Sequence, residues 1–83
     1  MRVLYFAAVR DAVGVDEEEV SPPAGVGTLG DLVDWLSGRS EAHARALADR
    51  GRLRGAVDQV FANFEAPIAS AREVALFPPV TGG

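Results

Sequence analysis

The residues best suited to chemistry close the sequence, where positions 78–83 read Pro-Pro-Val-Thr-Gly-Gly. Two successive glycines carry no Cβ, so a narrow channel can close around their backbone and they adopt angles that other residues avoid. Gly82 and Gly83 therefore suit delivery of a terminal carboxylate. That group, with an ordinary pKa of about 3.3–3.7, is anionic at neutral pH and a poor electrophile until something else activates it. Pro78 and Pro79 cannot donate to a sheet ladder and favour the extended polyproline conformation. Six residues at about 3.3–3.6 Å each reach roughly 20 Å, enough to enter a neighbour's pocket. Taken alone, a terminal Gly-Gly fits a frayed end equally well.

The remaining residues offer few other routes to reaction. The 83 residues contain no cysteine, which excludes a disulfide framework, a thiolate metal site and a cysteine nucleophile. His43 is the single histidine, has no second ligand near it in the sequence, and reads as a surface helix residue. There is no lysine to capture an activated acyl group, although 14 alanines and eight arginines fit a general exchange of Lys for Arg equally well. A net charge of −4 without concentrated positive charge argues against nucleic acid or an anionic membrane as partner and leaves a protein or a small molecule. No stretch approaches the roughly 20 apolar residues of a membrane span, and the opening residues lack a signal peptide's basic lead, so the expected location is the cytoplasm. With 48% hydrophobic and 24% charged residues the balance is globular. One small domain of this size buries only about 60% of its unfolded surface and has no room for a deep cavity.

Residues 1–6 (MRVLYF) read as a strand, residues 7–15 as a turn helped by Gly14, and residues 16–20 (DEEEV) as a returning strand. The acidic run 16–19 fits a charged sheet edge that discourages pairing with other chains, or less readily a metal- or partner-binding patch. Thr28 followed by Asp31 is a capping-box variant, and Leu29, Leu32, Val33 and Leu36 recur at helical spacing up to Gly38. Trp35 lies off that stripe and is expected at the edge of the core. A second, shorter helix is expected over 40–50, capped by Ser40, with Glu41 and Arg45 at i,i+4 spacing and Gly51 ending it. Residues 53–57 and 60–64 read as short strands around Asp58-Gln59, 65–72 as a loop, and 73–77 (EVALF) as the last strand.

This order predicts an α+β fold of β-grasp type, with a mixed sheet wrapped around one main helix plus a short second helix. Residues 1–77 form the domain and 78–83 a flexible extended tail. If the first and last strands lie together mid-sheet, Val3, Tyr5, Val74 and Leu76 face the helix, and Leu4, Phe6, Ala75 and Phe77 face away. Monomers rarely leave such apolar groups in water, so Leu4, Phe6 and Phe77, joined by Phe61, mark a protein-binding surface unless a loop covers them.

The segment Val74-Ala75-Leu76-Phe77-Pro78-Pro79-Val80-Thr81-Gly82-Gly83 resembles the C-terminal signature of the small, sulfur-carrying subunits of molybdopterin synthase, which are ubiquitin-like. Val3-Leu4-Tyr5-Phe6-Ala7 with Val9-Arg10 is similar to that family's opening, and Ala56-Val57-Asp58-Gln59 to its mid-chain strand end. The chain departs from the family in having Ser70-Ala71-Arg72 where Asp-Gly-Asp is common, which makes a positive-φ turn there costly, and Asp58 where Asn is common. The resemblance implies a subunit that is not an enzyme on its own and binds no cofactor. An activating enzyme related to ubiquitin-activating enzymes would adenylate Gly83 with ATP, and a sulfur donor would convert it to a thiocarboxylate. Sulfur would then pass to cyclic pyranopterin monophosphate in the large subunit, within a heterotetramer of two large and two small subunits. Gly82 and Gly83 would carry the reaction, and Phe6, Phe61, Phe77, Pro78, Pro79, Val80 and Thr81 would meet the partners. A carrier without cysteine has no side-chain thiol to load, which again points to Gly83. The open alternatives are a carrier for thiazole, thiolated RNA or cysteine, which the Phe-Pro-Pro-Val-Thr stretch argues against, a ubiquitin-like modifier joined to lysines, and an inert interaction module.

Overall fold

A computed structural model describes residues 1–79, so Val80, Thr81, Gly82 and Gly83 lie outside the described residues. Alternating apolar residues produce β1 (Arg2–Tyr5), whose Val3 and Tyr5 are buried between the sheet and the helices. β1 pairs antiparallel with β2 (Glu17–Glu19) and parallel with β5 (Glu73–Phe77). On the other side of β5 lie β3 (Arg54–Val57) and then β4 (Val60–Ala62), both antiparallel to their neighbours. The sheet order is β2-β1-β5-β3-β4, with the first and last strands at its centre.

Across the inner face runs α2 (Leu29–Ser37), which buries Leu29, Leu32, Val33 and Leu36 completely. Its capping box is complete: Asp31 N–H donates to Thr28 Oγ1 at 3.1 Å, and Thr28 N–H donates to Asp31 Oδ2 at 3.2 Å. Val3, Tyr5, Val74 and Leu76 meet this helix at no more than 1% exposure. Trp35 packs at the margin of the core with the Arg39 guanidinium 4.9 Å from its ring centre. α2 approaches β3 so closely at Gly55 that a Cβ there would stand 2.7 Å from Leu29 Cδ2. This mixed sheet gripping a helix is the ubiquitin-like β-grasp.

Three local features depart from the sequence reading. Residues 7–13, expected as a turn, form α1 (Ala7–Val13), whose N-cap is Phe6. Only Val9 of this helix is buried, so its hydrophobic pattern is too short to read. Its end is set by Gly14 at φ 97°, whose N–H donates to Arg10 O. The helix expected over 40–50 is shorter: α3 (Glu41–Ala46) ends near Leu47, and Gly51 sits inside a separate 3-10 turn, Arg50–Arg52. Leu47 N–H still closes on His43 O, but Asp49 and Gly51 are weak helix formers and the chain tightens instead of continuing. Glu41 and Arg45 form no ion pair among the described residues.

The third departure is His43, whose side chain is only 13% exposed and is not a surface residue. Strand parity explains it: β2 opposes β1 with Glu18 facing Val3, so Glu18 points into the helical layer while Glu17 and Glu19 point out. Glu18 Oε2 accepts from Tyr5 Oη at 2.6 Å and lies 2.7 Å from His43 Nε2, whose Nδ1 is 2.7 Å from Ser40 Oγ. β2 is thus the charged sheet edge expected, with its central carboxylate turned to a structural use.

Candidate functional site

The outer face of the sheet is read directly from the register. Glu17, Leu4, Ala75, Ala56 and Phe61 stand opposite one another across five strands, and Phe77 follows two residues beyond Ala75. The small Ala75 and Ala56 leave a hollow, lined by Ala56, Gln59, Phe61 and Phe77. Phe61 and Phe77 meet edge to face with ring centres 5.7 Å apart, yet Phe61 stays 78% exposed. Phe6 is 46% exposed and continues the β1–β5 pairing, its N–H donating to Leu76 O at 3.1 Å, which places its backbone beside Phe77. Phe6 and Phe61 are thus left uncovered, while Leu4 and Phe77 are half-buried. Monomers rarely leave a contiguous aromatic patch in water, which makes this face the candidate contact surface.

Phe61 owes its position to the turn that precedes it. Asp58 and Gln59 both adopt positive φ, 49° and 71°, joining β3 to β4 in a tight two-residue hairpin. Aspartate tolerates this region, and Asp58 Oδ1 also accepts from the N–H groups of Arg72 and Glu73 at 2.9 and 3.0 Å. The carboxylate thereby ties the turn to the start of β5. The loop through Ser70-Ala71-Arg72 contains no positive-φ residue, so the missing glycine costs it nothing. Val60, 68% exposed beside Phe61, is not read as a site residue from the sequence, and Gln59, which lines the hollow, is read there only as part of the turn. The one signal for either is position, in or next to a turn at a sheet edge.

At the end of β5, Phe77 passes directly to Pro78 and Pro79, both half-buried. Ladder pairing stops there, with Arg54 opposite Phe77 as the last register pair. The aromatic pair and the start of the tail are therefore contiguous. The expected reactive residues, Gly82 and Gly83, and the expected contacts Val80 and Thr81 lie outside the described residues.

The other polar cluster, Ser40–His43–Glu18, has the residue types of a hydrolytic triad but not its chemistry. Ser40 Oγ accepts the His43 backbone N–H at 3.1 Å as the cap of α3, and Glu18 is shared with the buried Tyr5 hydroxyl. Burial opposes ionisation of Glu18, but hydrogen bonds from Tyr5 and His43 and the nearby charges of His43 and Arg39 outweigh it and hold its carboxyl below the usual range. Burial, reinforced by Glu18, pushes the Tyr5 phenol well above its ordinary value. The cluster fastens β2 to α3. Among the described residues no group of His, Asp and Glu could hold a metal ion.

The match to known proteins covers nearly the whole chain: residues 3–83 match the ThiS family. The chain belongs to the ThiS family. Among ThiS-family relatives, the molybdopterin synthase sulfur carrier subunit of Escherichia coli is 43% identical over 83 residues, covering 100% of this chain and 99% of that one. Among solved structures, small archaeal modifier protein 1 of Haloferax volcanii is 29% identical with a TM-score of 0.74, covering 96% of this chain and 97% of that one. A Pyrococcus furiosus protein described as molybdopterin converting factor subunit 1 is 27% identical with a TM-score of 0.67, covering 95% of each chain. No helix among the described residues of this ThiS-family chain is long and apolar enough to cross a membrane.

Proposed function

We propose that this protein is the sulfur carrier subunit of a molybdopterin synthase, acting in molybdenum-cofactor synthesis. The observation that carries the reading is the end-to-end, 43% identical alignment with a protein of that name. The exposed Phe61–Phe77 pair, continuous with Pro78-Pro79, supports it as the surface on which a larger partner seats before the tail enters.

In this reading the carboxylate of Gly83 attacks the α-phosphate of ATP in an adenylating enzyme, forming an acyl-adenylate and releasing pyrophosphate. A sulfur donor then displaces AMP to give the thiocarboxylate. In the large subunit the thiocarboxylate sulfur passes to cyclic pyranopterin monophosphate, and water restores the carboxylate. Two carriers supply the two sulfurs of one dithiolene, which fits an assembly of two large and two small subunits. In this reading the catalytic acids, bases and substrate-binding groups belong to the large subunit, and ATP is used only by the activating enzyme. Gly82 would permit close passage of the tail, and Phe6, Phe61, Phe77, Pro78, Pro79, Val80 and Thr81 would meet the partners. The domain comprises residues 1–77 and the tail 78–83, and both work in the cytoplasm.

The likeness to small archaeal modifier protein 1 favours one second reading, attachment of Gly83 to lysines of other proteins. Intact-mass measurement of the protein from its native cells separates the two. A species with one oxygen replaced by sulfur is expected. Lysine conjugates of higher mass, without that species, would establish the modifier instead.

A further inference from the structure

The tail leaves the domain between two different surfaces. On the outer face lies the aromatic hollow. On the helical side, Pro78 borders a groove floored by Ala8 and Ala12 of α1, Ala46 of α3 and Leu53, and rimmed by Arg45 and Arg52. Five of the eight arginines fall between positions 39 and 54, and two of them, Arg45 and Arg52, line this groove.

The arginines differ in what they already hold. Arg2, Arg10, Arg39 and Arg50 form ion pairs, Arg50 with Asp34. Arg54 donates to the carbonyls of Gly51 and Leu53 at 3.1 and 2.9 Å. Arg45 and Arg52 are exposed, and among the described residues neither lies within ion-pair distance of a carboxylate, although Asp49 shares their groove. Two unspent guanidiniums over a floor of small side chains, on a molecule of net charge −4, form a local reversal of sign.

We infer that Arg45 and Arg52 form a second docking patch, which receives an acidic segment of the protein that encloses the tail. The inference rests on the carrier reading above. A channel that closes around an extended chain needs walls on both sides of its entrance, and the entrance here is Pro78. The wall over Phe61 and Phe77 is apolar, and the wall over α1 and α3 carries carboxylates that pair with the two guanidiniums. The floor of alanines lets a backbone approach closely. The aromatic side supplies affinity, while the arginine side steers association and sets which way the partner faces.

The test is binding of the full chain to the purified large subunit of molybdopterin synthase at about 50 mM and about 300 mM salt, where screening differs strongly. Arg45→Ala with Arg52→Ala should bind about tenfold more weakly than wild type at low salt, mainly through slower association, and the difference should shrink at high salt. Arg72→Ala, an arginine outside the groove, should match wild type. An unchanged melting temperature of the double variant excludes loss of fold as the cause. Wild-type affinity and salt dependence in the double variant, with Phe77→Asp impaired, would overturn the arginine patch and leave the carrier reading standing. Failure of the wild-type chain to bind the large subunit would remove the carrier reading and this inference together.

Discussion

Glu18 and Phe77 show how the meaning of single residues depends on the face they occupy. The middle of an acidic run looks interchangeable with its neighbours, but β2 turns Glu18 alone toward Tyr5 and His43. Because its folded pKa is held down, its contribution to stability is complete above the usual glutamate range and is lost as pH falls through the folded value. Glu18→Gln should therefore lower stability at neutral pH and flatten the loss expected of wild type below about pH 4.3. Urea midpoints measured across that range check both parts, and parallel acid limbs would contradict them. His43 reads as a surface residue in the sequence because a lone imidazole gives no sign of its partner, and Glu18 lies 25 positions away. Phe77 was legible by alternation along residues 73–77. Phe77→Asp places a charge in the apolar contact and should cost binding to the large subunit about 2 kcal/mol, roughly thirtyfold, measured by calorimetry.

Among the elements, β1, β2, α2, β3, β4 and β5 could all be read from alternation, capping and turn chemistry, because each carries its own signal within a few residues. Thr28 and Asp31 announce the start of α2, and Asp58-Gln59 the β3–β4 hairpin. α1 could not be read, since its one buried residue sets no period and its stability comes from packing against α3 and β5. The same limit hid the break between α3 and the following 3-10 turn. Gly55 shows the opposite case, a residue whose reason appears only when elements meet. Its missing side chain lets α2 sit on β3, and Gly55→Val should lower stability by about 1–3 kcal/mol through overpacking against Leu29. Denaturant unfolding checks the value. A loss no greater than that of an exposed strand substitution would mean the helix is free to shift.

For the whole molecule, the placement of β5 unites the fold with the proposed function. The last strand lies at the centre of the sheet, paired on both sides by β1 and β3, so the chain leaves the domain from the middle of the sheet. The aromatic pair on one side of that exit was partly legible in the sequence, through Phe61 and Phe77. The arginine groove on the other side was not, because Ala8, Arg45, Arg52 and Pro78 come together only after folding. The central claim is that Gly83 delivers sulfur, and transfer from the loaded chain tests it most directly. Thiocarboxylated protein is mixed with purified large subunit and cyclic pyranopterin monophosphate, alongside a folded chain lacking Gly83. The account predicts dithiolene product and loss of the thiocarboxylate mass with the full chain, and neither with the truncated one. A full chain that retains its sulfur and yields no product, or a truncated chain that still forms it, would contradict the account.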